Sequence, residues 1–159
     1  MDPFLHELNE MLTTAYRSIC KVEEVMLRKL SSGELSLHEM HMLESIGKHK
    51  GEDVTITDLA QDLDITPPSV TAMVKRLEHK GFITKSRSGV DARRVCILLT
   101  EQGRRAEVAH RLFHRKMVRA ITKDLTDTER EAIATGLKKM NAFMNESIRK
   151  CVNGKEESK

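Results

Sequence analysis

A short apolar helix, a tight turn and a longer helix follow one another between residues 55 and 80, and this succession constrains the fold more than any other feature. Residues 55–58 open the short helix. Pro67 and Pro68 begin the longer one, where first-turn N–H groups have no intrahelical partner. Asp64 occupies the turn, and aspartate tolerates the left-handed backbone conformation better than most residues. Apolar residues for the helix crossing are present at Ala60, Leu63, Ile65, Val70 and Met73. The pattern is typical of a helix-turn-helix.

Helical periodicity also covers both ends of the chain. A first helix is predicted from Pro3 to about Ser31, because apolar residues recur at steps of three and four. Residues 36–39 have the spacing of a capping box and begin a second helix, and residues 126–129 do the same for the last one. Gly81 is placed to end the longer helix in the left-handed conformation.

One part of the chain changes to a period of two. Residues 82–87 and 94–99 alternate and predict two strands, joined by the turn-rich segment 88–93. Thr100 follows as the N-cap of a long helix that runs to about Lys123. The predicted order is four helices, a hairpin and two more helices.

Positive charge is concentrated in one continuous part of the chain. Residues 75–119 hold 13 lysines and arginines against 4 acidic residues, although the 159-residue chain has a net charge of only +3. This uneven distribution is expected of a surface that binds a polyanion.

The composition limits the class of protein. Apolar residues make up 39% of the chain, and the longest unbroken apolar run, residues 95–99, is too short to span a membrane. Charges occur throughout residues 1–30, so we expect no secretory signal. Three cysteines at wide spacing favour reduced thiols and a cytoplasmic location.

The outward face of the longer helix has small residues at its start and cations further along. Helical spacing puts these residues outside: Pro68, Ser69, Thr71, Ala72, Lys75 and Arg76. Such a helix can enter a DNA major groove, with the small residues at base edges and the cations at purine edges or phosphates.

The hairpin adds a second cationic feature. Lys85, Arg87, Arg93 and Arg94 lie on its flanks and tip. An arginine at the tip can enter the neighbouring minor groove. Asp91, two residues before Arg93, is close enough to orient its guanidinium.

These residues resemble the MarR family of winged helix-turn-helix regulators. The resemblance rests on three segments: Leu59-Ala60-x-x-Leu63; Val70-Thr71-x-x-Val74-x-x-Leu77-Glu78-x-Lys80-Gly81-Phe82-Ile83; and Asp91-Ala92-Arg93-Arg94-Val95-x-Ile97-x-Leu99-Thr100-x-x-Gly103. It implies that helix 67–80 is the recognition helix, that 84–96 is the wing, and that Arg93 is the minor-groove arginine with Asp91 as its partner.

The predicted fold class is therefore mainly α with a small β-hairpin wing. We expect a winged helix-turn-helix DNA-binding domain at 35–100, a dimerisation helix at 1–34, further dimerisation helices at 101–152 and a disordered tail at 153–159. Apolar stripes on the terminal helices favour a homodimer, which would set two recognition helices about one DNA turn, ~34 Å, apart on a near-palindromic site.

Residues 35–41 and the segment His110-x-x-Phe113-His114-x-x-Met117-Val118 resemble one branch of that family, which represses fatty-acid synthesis genes. That branch senses acyl chains carried on acyl carrier protein. The chain is thus expected to be a dimeric transcriptional repressor that binds double-stranded DNA, without enzymatic activity, cofactor or membrane partner. Its effector would be acyl carrier protein or a small apolar molecule.

The histidines support a competing hypothesis. Glu24, His38, His41, His110 and His114 could form a divalent-metal site, as in zinc-sensing members of the same family. A helical metalloenzyme using His110 and His114 is a further alternative, and a helical interaction module is another. The three cysteines also suggest a redox switch as an alternative.

Overall fold

The computed structural model describes residues 2–31, 33–49, 54–87 and 95–153, with side chains as far as residue 150. Its elements follow the predicted order of four helices, a hairpin and two helices. They are α1 (Pro3–Ser31), α2 (Leu37–Lys48), α3 (Ile56–Leu63), α4 (Pro67–His79), β1 (Ile83–Arg87), β2 (Val95–Leu99), α5 (Glu101–Thr122) and α6 (Asp127–Asn153). The predicted turn at 88–93 and Arg94 lie outside the described residues.

The turn between α3 and α4 forms as the sequence predicts. Asp64 has φ 52° and ψ 45°, which is the left-handed conformation. The backbone N–H of Ile65 donates to the carbonyl oxygen of Ala60 at 3.1 Å and closes the turn. At the other end of α3, Thr55 and Asp58 form a reciprocal capping box. The short helix is therefore defined at both ends by local hydrogen bonds.

The start of α4 differs in detail from a capped helix. Thr66 occupies the N-cap position, but its hydroxyl lies 2.9 Å from the Ser69 hydroxyl and makes no hydrogen bond to the backbone. Pro68, at the second helical position, has no N–H to offer, so one of the two usual partners of an N-cap side chain is missing. The prolines, with their fixed φ, take over the definition of this helix start.

The end of α4 is a glycine-dependent turn. Gly81 has φ +79°, and its N–H donates to the carbonyl oxygen of Glu78 at 3.0 Å. The N–H of Phe82 donates to the carbonyl oxygen of Leu77 at 3.0 Å, which completes a Schellman motif. Because this bond uses the Phe82 N–H, β1 begins at Ile83, one residue later than the alternation predicts.

The hairpin and the start of α5 are fastened to this turn. β1 and β2 pair antiparallel, with Ile83 opposite Leu99 and Arg87 opposite Val95. Thr100 caps α5 by accepting from the N–H of Gly103 at 3.1 Å, and its hydroxyl donates to the carbonyl oxygen of Gly81 at 2.7 Å. One threonine thus links the helix that follows the hairpin to the turn that precedes it.

The chain forms two compact units, one ending at His114 and the other beginning at Arg115. The first has a continuous core; its largest fully buried apolar side chains include Met40, Leu43, Leu59, Leu77, Phe82 and Ile97. The division into 1–34, 35–100 and 101–152 stays a prediction. Of the helices that the structure describes, none carries an apolar stretch long enough to cross a membrane.

Both chain ends expose apolar side chains. On α1 these include Phe4, Leu5, Met11, Leu12 and Tyr16, and on α6 they include Ile133, Leu137, Phe143, Met144 and Ile148. Exposed apolar residues at helical spacing on two long helices mark surfaces that favour a partner.

Candidate nucleic-acid interface and histidine cluster

The outward face of α4 is close to what helical spacing predicts. Pro68, Ser69, Ala72, Lys75 and Arg76 are exposed, whereas Val70, Val74 and Leu77 on the opposite face are fully buried. Thr71 is half-buried, and its hydroxyl donates to the carbonyl oxygen of Pro67 at 2.9 Å. The first turn therefore presents small side chains with short reach, and the last turn presents cations.

The two cations of α4 differ in their surroundings. Within the described part of the chain, Lys75 has no ion pair. Arg76 is 55% exposed, and its Nε lies 3.5 Å from Oε1 of the buried Glu39. Lys75 is thus the freer charge, while Arg76 has one edge turned toward the protein.

The two cations of β1, Lys85 and Arg87, also differ in their surroundings. Arg87 is exposed at the end of β1. The Lys85 ammonium pairs with the Glu78 carboxylate of α4 at 2.5 Å. This pair ties the hairpin to α4, so one of the cations that the sequence analysis assigned to DNA is already paired with an acid of the protein. Asp91, Arg93 and Arg94 lie outside the described residues, and their predicted roles stay predictions.

A buried carboxylate lies behind the C-terminal end of α4. Glu39, in the first turn of α2, is 3% exposed, and the Lys80 ammonium donates to both of its oxygens at 2.8 Å. Burial raises the pKa of Glu39, but the hydrogen bonds from Lys80 and Ser36 outweigh it and leave the pKa below its ordinary value. The sequence identified Glu39 as a capping residue only, because nothing in its spacing points to Lys80, 41 positions away.

Three ionisable side chains converge between α1 and α5. The ligand atoms of Glu23, His110 and His114 all lie within 4.8 Å of one another. His114 Nε2 is 3.1 Å from a Glu23 oxygen, and His110 Nδ1 is 2.7 Å from Oε1 of Glu44. The hydrogen bond to His110 lowers the pKa of Glu44.

His110 carries an unusual buried atom. The side chain is fully buried, and its Nε2 has no hydrogen-bond partner, the one such buried polar atom in the part of the chain described. Because Nδ1 is held by Glu44, Nε2 is the nitrogen available to the cluster. Two imidazoles and a carboxylate are a donor set that suits zinc, and a carboxylate on the second nitrogen is the usual outer support of such a ligand.

The cluster differs from the set expected from sequence. Glu23 takes part instead of Glu24, because Glu23 shares the inward face of α1 with Leu27 while Glu24 is exposed. His38 is exposed on α2 and is not in the group. The ring of His41 lies 6.2 Å from that of His110, measured between centroids. Glu23 and Glu24 are adjacent, so a shift of one residue in the assignment of the inward face of α1 decides which of them joins the cluster. Periodicity assigns that face poorly on a long helix with apolar residues on two faces.

Comparisons with known proteins agree with this architecture. A model of the MarR family matches residues 35–95. The structure is similar to that of Streptococcus pneumoniae FabT in complex with DNA, with 33% identity, a TM-score of 0.81, and coverage of 89% of this chain and 98% of that one. The chain belongs to the MarR family. Its hairpin is the wing of a winged helix, and the protein is a transcriptional regulator, which removes the metalloenzyme hypothesis.

Other MarR-type proteins match less fully. The HTH-type transcriptional repressor MdtR of Bacillus subtilis is 26% identical over 83 residues, which are 52% of each chain. The chain spans about half the length of the curated relatives first matched. A Staphylococcus aureus MepR–DNA complex has 24% identity and a TM-score of 0.65 over 83% of this chain and 95% of that one, and it bears on the fold alone.

Proposed function

We propose that this MarR-family protein is a homodimeric repressor that binds a near-palindromic DNA duplex, with α4 in the major groove and the wing at the adjacent minor groove. The observation that carries the proposal is the exposed face of α4, where Pro68, Ser69 and Ala72 precede Lys75 and Arg76 without an intervening acidic residue. FabT, the 33% identical structural relative, is seen in complex with DNA.

The arrangement of α4 suits contact with base edges near its N-terminus. Ser69 and the half-buried Thr71 offer hydroxyl groups, and Ala72 or Pro68 offers apolar contact to thymine methyl groups. Such short side chains let the helix approach the bases closely. In the wing, Arg87, Arg93 and Arg94 supply further cations, and we assign Arg93 to the minor groove with Asp91 as its orienting partner.

The exposed apolar side chains of α1 and α6 supply the surface for a second copy. Tyr16 on α1 is 70% exposed, and Phe143 on α6 is 65% exposed. Burial of such residues against a twofold-related copy is favourable at about 25 cal/mol per Å² of apolar surface. The dimer would carry two recognition helices and match the symmetry of a palindromic site.

An apolar cleft supports control by an acyl chain. A cleft of about 460 Å³ in the first unit is lined by Val22, Val25, Met26, Lys29, Leu30 and Ala109. Its lining is mostly hydrocarbon, which suits a fatty chain. We propose that the acyl group of an acylated acyl carrier protein, or another apolar effector, binds here and changes the affinity for DNA.

Selection of bound sequences from random duplex DNA tests the DNA proposal directly. We expect enrichment of a near-palindromic sequence, and repeated selections with acylated acyl carrier protein and with zinc would identify the effector by a change in yield. Failure to enrich any duplex, even at low salt where phosphate contacts are strongest, would overturn the proposal.

Lys75 and Lys85 offer a matched pair of charge deletions. Lys75→Ala is expected to lower the slope of log affinity against log salt by about one unit, because Lys75 is exposed on α4, has no ion pair among the described residues and is free to contact phosphate. Lys85→Ala is expected to change the slope less, since Glu78 already pairs with that ammonium. Titrations of a labelled duplex over a salt series measure both, and equal slope changes would contradict this division of roles.

A zinc-sensing regulator is the second candidate, and the histidine cluster favours it. Glu23, His110 and His114 would hold the ion, with His41 or a water as a fourth ligand and Glu44 supporting His110. The fully buried Nε2 of His110, which has no hydrogen-bond partner among the described residues, is the atom that fits a metal best. A bound ion would join α1 to α5, and DNA affinity would then depend on the metal concentration.

Adjacent acids on α1 provide the test. Glu23→Gln is expected to weaken zinc binding by more than about tenfold, whereas Glu24→Gln, which alters an exposed neighbour, leaves it unchanged. Calorimetric titration of the dialysed protein measures both. Identical zinc affinity in the two variants would reject the site, and zinc binding without any change in DNA affinity would reject its sensing role.

A further inference from the structure

Glu39 is more deeply buried than its capping role requires. Its Oε2 accepts from the backbone N–H of Ser36 at 2.9 Å, which is half of the capping box of α2. Glu129 makes the same bond to the N–H of Thr126 at 2.8 Å, yet it is exposed. Capping therefore does not explain a carboxylate that is 3% exposed. The charged partners of Glu39, Arg76 and Lys80, come from the C-terminal end of α4.

Lys80 is the nearest charged partner of this carboxylate. Its Nζ donates to both oxygens of Glu39 at 2.8 Å and to the carbonyl oxygen of Glu34 at 2.6 Å. An ammonium has three N–H bonds, so these three acceptors use all of them. Lys80 is consequently not available to a phosphate, and its charge holds the C-cap of α4 against the first turn of α2.

Arg76 shares the same carboxylate without being neutralised by it. Its Nε lies 3.5 Å from Oε1 of Glu39, which is longer than a hydrogen bond but close enough for electrostatic attraction. The side chain remains 55% exposed. Attraction at one edge of a planar guanidinium restricts its rotation and leaves the remaining donors for another anion.

We propose that Glu39 is a positioning residue for DNA binding, which anchors the C-terminal end of α4 through Lys80 and orients the Arg76 guanidinium toward a backbone phosphate. The proposal rests on the proposed binding of duplex DNA by α4. It names a residue on α2, outside the recognition helix and the wing, as one on which affinity for the specific site depends.

The direction in which DNA affinity changes when Glu39 loses its charge separates a positioning role from simple electrostatics. A buried negative charge behind a DNA-binding face opposes the approach of phosphate, so charge alone predicts tighter binding when it is removed. Positioning predicts weaker binding, because Arg76 and the end of α4 lose their fixed arrangement. Glutamine also serves at this capping position, so Glu39→Gln removes the charge and keeps the start of α2.

The experiment measures affinity for the selected duplex and for a scrambled duplex at matched salt. Glu39→Gln is expected to weaken binding to the selected duplex by about tenfold, which lies within the range of interaction energies between residues in contact. Its affinity for the scrambled duplex should not fall. Arg76→Gln is expected to weaken specific binding by a similar factor. The double variant should lose less affinity than the product of the two single losses, since Glu39 acts in part through that arginine. Glu129→Gln, an exposed residue in an equivalent capping box, is the control and should bind like the parent.

Several results would overturn the proposal. Equal or tighter specific binding by Glu39→Gln would reject it, as would independent losses that multiply in the double variant. Arg76→Lys keeps the charge but lacks the planar guanidinium, so it should lose as much specific affinity as Arg76→Gln. Full retention of specific affinity by Arg76→Lys would also reject the proposal. This variant leaves the buried Glu39 unchanged, so its result does not depend on how a substitution at Glu39 affects the fold. If the parent protein binds no duplex, the proposed function has failed, and that outcome is distinct from failure of the variants.

Discussion

Replacing Gly103 with alanine is expected to cause the largest loss of stability among alanine substitutions of the glycines that the structure describes. A Cβ at this position would lie 2.0 Å from the carbonyl oxygen of Phe82 and 3.0 Å from its carbonyl carbon. Both contacts are to backbone, so no side-chain rotation relieves them. The first turn of α5 and the turn after α4 would have to separate, although Thr100 bonds them through the carbonyl oxygens of Gly81 and Phe82.

We expect Gly103→Ala to reduce the free energy of unfolding by about 3 kcal/mol or more, at the upper end for overpacking. That loss corresponds to a fall in Tm of roughly 6–12 °C for a chain of this size. Gly136→Ala is the matched control, because a Cβ there meets nothing within 4 Å. Within a helix, alanine is favoured over glycine by about 0.8–1.0 kcal/mol, so this variant should be as stable as the parent or more so.

Denaturant unfolding followed by circular dichroism measures both variants. Equal stability of Gly103→Ala and the parent would show that α5 is not as close to the α4–β1 turn as the structure has it. The result would also bear on the proposed DNA binding, since that contact sets the start of α5 against the turn that joins α4 to the hairpin.

Ala72→Glu is expected to abolish specific DNA binding while leaving the fold intact. Ala72 is exposed on α4, and glutamate has good helix propensity, so the substitution costs little stability. On a surface that faces DNA, a carboxylate in place of a methyl group meets base edges and phosphates. Like-charge juxtaposition across an interface costs several kcal/mol, which corresponds to a loss of affinity of at least about 100-fold.

Gln61→Glu is the matched control for Ala72→Glu. It adds the same negative charge at an exposed position of the neighbouring helix, α3, on a residue that the proposed contact does not use. Fluorescence anisotropy with the selected duplex compares the variants, and thermal unfolding verifies that each is folded. If Ala72→Glu binds within about threefold of the control, α4 does not present this face to DNA, because a much larger electrostatic penalty is expected there.

Local signals in the sequence predicted most of the architecture. The two prolines at the start of α4, the aspartate in the turn before it and the glycine after it each prefer one backbone conformation, and the structure has those conformations at Pro67, Asp64 and Gly81. Capping boxes at Ser36 and Thr126 also formed as expected. These features depend on residues within a few positions of one another, so a single sequence contains them.

Features that join distant segments were not predictable in the same way. The sequence hypothesis grouped Glu24 with the histidines, whereas the phase of α1 brings Glu23 there. Lys85 reads as a free cation, yet it pairs with Glu78. Gly103 was recognised as part of a family pattern, but the reason for a glycine appears only where Phe82 meets the first turn of α5.

The sequence by itself determined the order of the elements, the ends of the helices and the sign of the charge on the α4 face, because these follow from backbone preferences and from the spacing of apolar and charged residues. The tertiary structure decided which charges remain free. It buried Glu39 and matched it with Lys80, and it left Lys75 exposed. The physical reason is that the cost of burying a charge depends on the partner that folding brings to it, and such partners lie far apart in the chain.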